Sequence, residues 1–379
     1  MAHRPSLIPR LLRAIAMMAV LLGPAWTAHA AGEIRVAILE GVRSVDVGGG
    51  PMLVADRDGQ RLVAQTPTWL RIAQRNGELE VQGRRATAVR LLPLGHGFLR
   101  IGTREYPGAV EVLSGVEGLT VVSELPLEEY LVGVVKAEAG DTMPREMLKA
   151  QAIVARTYTA YHRQLNAGKP YHLVASTANQ QYLGRVPADS AAWAAVRETQ
   201  GQVLLWEGSL FPAFYHTDSG GHTEDPRVVF AAANMPALKP VRIQFPSASP
   251  HQQWQLDLPL SELTAALLVR GGVSIGRVID LEVLERSASL RVSQLAVHGA
   301  RGSVTLKGND FRRLVGYDTL KSTLFGVSVV GGIARFAGRG YGHGVGLDQW
   351  SAKTMAELGY GAREIVQYYY PGAAVTTLR

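Results

Sequence analysis

Cysteine does not occur in this chain of 379 residues. That excludes a disulfide, a lipidated cysteine, a thiolate nucleophile and a thiolate metal site, so packing alone has to hold the fold together. After the first thirty residues no stretch is apolar and long enough to span a membrane. No cluster of basic residues stands out, which removes nucleic acid from the expected partners. Internal repeats and low-complexity tracts are also lacking. The formal charge is +7, but three of those charges, Arg4, Arg10 and Arg13, lie in the first thirty residues. Seven less three leaves a modest +4, which suits an acidic envelope polymer without demanding one.

Those thirty residues read as a secretory leader. A basic start precedes the apolar run AIAMMAVLLG, and Ala28-His29-Ala30 forms a small-residue cleavage pattern. Cleavage near Ala30 would deliver the protein to the periplasm or cell envelope.

The remainder predicts an α+β protein. Residues 31–122 carry short apolar or alternating runs such as IRVAILEGV, ELEVQG and AVRLLPL, punctuated by Asp-Gly and Asn-Gly, the pattern of a β-rich domain. A mixed core follows over 123–240. An inserted, β-containing subdomain is expected over 241–320, and the rest of the core over 321–379. Helices are expected over 126–138, from Pro144 onward with Met147, Ala150, Val154, Tyr158 and Tyr161 inward, and after Asp348, which suits an N-cap.

One residue interrupts this pattern. Leu127, Leu131, Val134 and Glu138 recur at spacings of four, three and four, one stripe of a helix. Three are aliphatic and the last is a carboxylate. A carboxyl beside an apolar face has its pKa raised, because burial disfavours the ion, and a general acid needs that near neutral pH. The structural alternative is an ion pair with Arg156 or Lys149.

Other clusters leave their roles open. RGYGHGVG, residues 339–346, sets four glycines around His343. It suits either a turn or a close approach of backbone to ligand, and its spacing is that of neither phosphate-binding motif. His216, Asp218 and His222 fall within seven residues but match no strong metal spacing. Ser219 lies in Thr-Asp-Ser-Gly-Gly, which is not a nucleophile elbow. Trp193, Trp206, Trp254 and Trp350 could stack on sugar rings or fill the core, and Tyr368, Tyr369 and Tyr370 suit packing of the last helix.

Taken in order, LEEYLVGVVKAE, LKAQAIVARTY, QQYLG, FYHTDSGGHTED, GRGYGHGVGLDQWSAKTMAELGY and YYYPG resemble the stage II sporulation protein D family, also called SpoIID/LytB. The resemblance implies a lytic transglycosylase acting on peptidoglycan glycan strands, with the family's catalytic glutamate on Glu138 and no cofactor. It implies substrate contacts from Gln181, Tyr182, Tyr215, His216, Ser219, Gly220, Gly221, Tyr341, His343 and Gln349. Two departures stand out. Ala139-Gly140 replace the family's usual Met-Pro, and His172 has no cysteine beside it, so the zinc cluster of some members is expected to be missing. The resemblance also admits an alternative, a non-catalytic glycan-binding protein or activator of a cell-wall amidase.

Overall fold

The computed structural model describes residues 32–378 apart from 64, 231–234 and 246–247; the expected leader lies outside the described residues. The fold is α+β, with several sheets and with helices distributed along the chain.

Two six-stranded sheets build the N-terminal part. In one the order is Leu173–Val174, Glu33–Val42, Gly118–Pro126, Ala109–Gly115, Ala88–Pro93, Met52–Asp56. In the other it is Arg84–Ala86, Glu78–Val81, Leu70–Arg75, Ser44–Gly48, Leu99–Ile101, Arg104–Tyr106. Alternation sets the inward faces: Leu70 and Ile72 are buried while Arg71 between them is exposed. Asn76 and Gly77 both take positive φ, 53° and 82°. That is the two-residue turn whose twist matches a hairpin, here pairing Arg75 with Glu78.

Gly118–Pro126 runs directly into helix α1, Leu127–Ala139. Pro126 is the N-cap rather than the first helical residue. Its fixed φ lets the chain leave the strand and enter the helix without a spare N–H. Helix α2, Arg145–Leu165, starts the same way behind Pro144. Of its expected inner stripe, Met147, Ala150, Val154 and Tyr158 are buried, and Tyr161 sits at the rim. Arg156, fully buried on α2, forms a two-pronged ion pair with Glu128 on α1 at 2.9 and 2.7 Å. This fixes the register of the two helices.

A second apolar cluster gathers residues from Trp254 to Phe336, including Leu263, Phe311 and Phe325, apart from the main core. It lies between two three-stranded sheets and the helices Leu260–Gly271 and Gly308–Val315. The chain then returns to the main core through the loop 339–346 and the helix Gln349–Glu357. Asp348 caps that helix, accepting from the Ser351 amide at 3.0 Å. The apolar segment LFPAFYHT forms only the short strand Tyr215–His216, because Pro212 has no N–H to donate and the Phe214 amide turns back to its carbonyl.

Candidate active site

Glu138 occupies the last turn of α1, where the stripe predicted from the sequence reaches the surface. Leu131 and Val134 are fully buried, Glu138 is half-buried, and Gly140 ends the helix at φ 70°. Glycine tolerates that left-handed value, so Ala139-Gly140 turn the chain without a proline.

Neither cation expected as a structural counter-ion reaches the carboxylate. Arg156 is spent on Glu128, and Lys149 on Glu146 and Glu198. The Gln181 backbone N–H donates to Glu138 Oε1 at 2.7 Å. The Tyr215 hydroxyl is buried, with the Glu138 carboxylate and Gln180 as its neighbours. It makes no well-aligned hydrogen bond to either. Burial pushes the Glu138 carboxyl up to about 7, against the smaller downward pull of the Gln181 amide and the Tyr215 hydroxyl. A carboxyl so placed is protonated for part of the time at neutral pH and can give or take a proton.

The wall around it is built from polar groups on apolar elements. Gln180 Oε1 accepts from Thr159 at 2.8 Å and from Tyr130 at 3.3 Å. Gln349 Nε2 donates to the Glu138 carbonyl at 3.4 Å and to Gln151 at 3.3 Å. Tyr130, Gln151 and Gln180 were not singled out from the sequence. Gln151 carried a signal: it is a polar residue on the inward side of α2.

The loop 339–346 packs against this wall. Tyr215–His216 pairs in parallel with Leu347–Asp348. A Cβ at Gly342 would lie 2.8 Å from His216, and one at Gly344 would lie 2.6 Å from the Arg291 guanidinium. The space those glycines leave is therefore filled by protein. His343 Nδ1 accepts from the Val345 amide at 3.0 Å, and the Tyr215 backbone engages the ring as well. Burial, with Arg312 and Arg291 nearby, holds His343 down to about 3, so it is neutral in the working pH range. His216 Nδ1 lies 3.1 Å from the Val345 carbonyl. Burial keeps it well below its ordinary pKa, with His343 and Arg291 adding to the effect.

The other candidates divide by position. Tyr182 is buried against Tyr130 and Tyr106. Ser219 and Gln349 are also buried, Ser219 donating its amide to Asp348 at 2.9 Å. Tyr341 is half-buried, its hydroxyl donating to Asp318 at 2.7 Å. Gly220 and Gly221 line a cleft with Asp218 and Asp348. Burial and the Asp218 carboxylate beside it push Asp348 up to about 6. Asp141, in the turn after α1, is paired with Lys136 and accepts from Ser190 at 2.6 Å, contacts that hold it ionised. His172 is also committed, its Nδ1 accepting from the Arg35 amide at 3.1 Å. Among the described residues no three His, Asp or Glu side chains form a group able to hold a metal.

Comparison with known proteins gives this geometry a context. A family model described as stage II sporulation protein matches residues 116–206, and a domain of unknown function, DUF8618, matches 245–346. An uncharacterised protein of Brachyspira hyodysenteriae is 30% identical over 277 residues, 72% of each chain. Stage II sporulation protein D of Bacillus amyloliquefaciens is 30% identical over 272 residues, 67% of this chain and 75% of that one. An amidase enhancer of Bacillus subtilis is 27% identical over 295 residues, 65% of this chain but 40% of its own.

Proposed function

This chain belongs to the stage II sporulation protein D (SpoIID/LytB) family, and from that premise and the surroundings of Glu138 we propose that it is a lytic transglycosylase of peptidoglycan. The observation that carries the reading is a single carboxyl, poised near 7, with no cation paired to it among the described residues and a backbone amide aimed at it.

Protonated Glu138 gives its proton to the glycosidic oxygen between N-acetylmuramic acid and N-acetylglucosamine as the bond from C1 to that oxygen breaks. The carboxylate that results accepts from the Gln181 amide and has the buried Tyr215 hydroxyl beside it. It then takes the proton from the muramic C6 hydroxyl while O6 closes onto C1. The product is a 1,6-anhydro end, the enzyme is restored, and no water is consumed. Hydrolysis by a glycosidase needs a second carboxylate to activate water or to attack C1; this route does not. Asp141, the nearest acid in sequence, is tied to Lys136 and Ser190 and is unsuited to act as a base. The leader pattern of residues 1–30 supports export to the envelope where such strands lie.

The similarity to an amidase enhancer favours a second reading, a non-catalytic protein that binds glycan or activates a cell-wall amidase. One assay separates the two. Purified glycan strands are incubated with the wild-type chain and with Glu138→Gln, and release of soluble fragments is followed. The transglycosylase reading expects release by the wild type alone. No release by either, with stimulation of an added amidase by both, would put the second reading in its place.

A further inference from the structure

Two clefts that share lining residues run from Asp348, next to the Gln349 that touches Glu138, onto the inserted subdomain. A cleft of about 320 Å³ is lined by Gly221 and Phe245 and by Asp348, whose neighbour Gln349 reaches the Glu138 backbone. It shares Gln253 and Arg339 with a larger cleft of about 830 Å³ whose lining runs from Gln253 to Arg339, around the second apolar cluster. Shared lining makes the two neighbours.

The larger cleft has the chemistry of a sugar site. The side-chain amides of Gln253 and Gln255 have no hydrogen-bond partner among the described residues, and each can both donate and accept. Leu290 supplies an apolar wall. It is 59% exposed and holds φ 67°, a left-handed value that costs a leucine energy and that recurs where function requires it. Arg286 locks this turn, donating to the Leu290 and Phe325 carbonyls at 2.8 and 2.9 Å. Arg339 differs. Its guanidinium is exposed, lines both clefts and pairs with no carboxylate among the described residues. A planar fork left unpaired in a polar cleft is suited to a carboxylate.

We propose that the insert holds the stretch of glycan strand adjoining the bond at Glu138, and that Arg339 binds a carboxylate carried by that strand. The proposal rests on the functional reading above and assigns a role to a region that matches a domain of unknown function. The carboxylate is either the lactyl group of a peptide-free muramic residue or one on a stem peptide.

Binding is measured by calorimetry with the full chain carrying Glu138→Gln, so that strands stay intact, with and without Arg339→Gln or Arg339→Lys. Three ligands of matched length are used: peptide-free glycan strands, strands bearing stem peptides, and uncharged chito-oligosaccharide. Arg339→Gln should weaken binding of a carboxylate-bearing strand roughly tenfold or more, the scale of one hydrogen bond between charged groups. The chito-oligosaccharide should be bound as before, and Arg339→Lys should recover part of the loss. A loss confined to peptide-free strands identifies the lactyl carboxylate, and one confined to peptide-bearing strands identifies the stem peptide. Unchanged binding of all three, or equal weakening of the uncharged ligand, overturns the proposal while leaving Glu138 in place. If the chain with Arg339 intact binds no strand at all, the functional reading falls with it.

Discussion

The backbone amide of Gln181 donates to the carboxylate of Glu138 across 2.7 Å, so a loop distant in sequence aims the acid at the end of α1. Gly133 makes that approach possible. A Cβ there would overlap the Tyr182 ring and lie 2.9 Å from the Gly184 carbonyl. Gly133→Ala should push the 181–184 loop outward. Overpacking of this kind costs about 1–3 kcal/mol, and the Gln181 amide would withdraw from Glu138. A lower melting temperature together with a lower kcat in the folded fraction is expected. Full kcat in that fraction would show that the amide contributes nothing.

Burial of Glu138 also shapes stability. Its folded-state pKa, about 7, lies above its ordinary 4.5, so the native state binds this proton more tightly than the unfolded chain does. Stability is therefore lost as pH rises from about 4.5 to about 7, and it stays lost above that. The loss is on the order of 3 kcal/mol. Glu138→Gln, which has no proton to lose, should remove this contribution and be the more stable protein at pH 8. Denaturant melts of both proteins at pH 4 and pH 8 check it.

Tyr215 pulls the Glu138 pKa down. Tyr215→Phe should raise it, moving the alkaline fall in kcat/KM to higher pH while the neutral rate declines. A pH–rate profile of the variant makes the comparison; an unmoved alkaline limb would mean that the hydroxyl does not act on the acid.

His343 is neutral and tethered at both sides of its ring, and it packs edge-on to Phe214 and Phe230. His343→Ala should lower stability by about 1–3 kcal/mol, from the lost hydrogen bond and packing. Because the ring does not titrate near neutrality, the pH profile of the surviving activity should keep its shape. A new inflection, or none of the destabilisation, would give His343 a different role.

The glutamate at the end of an apolar stripe was legible because helix periodicity is local. So were the N-cap at Asp348 and the alternating strands before residue 122. What holds Glu138 was not legible. A backbone N–H such as that of Gln181 leaves no mark in the sequence, and the absence of a counter-ion depends on Arg156 and Lys149 having found Glu128, Glu146 and Glu198 instead. The glycines around His343 left open a turn or an approach to a ligand; in the structure His216 and Arg291 fill the space beside Gly342 and Gly344. The pairing of Asp218 with Asp348 joins segments far apart in sequence, and no spacing rule could have found it.

The central claim is that Glu138 acts alone, as acid and then as base. Mass spectrometry of the ends released from purified glycan strands tests it most directly. Wild-type protein should give 1,6-anhydro-muramic ends, lighter by one water than hydrolysed ends. Glu138→Gln should give them about 10²–10⁴ times more slowly with its fold intact. Ordinary reducing ends, or anhydro ends formed at the full rate by the glutamine variant, would contradict the account.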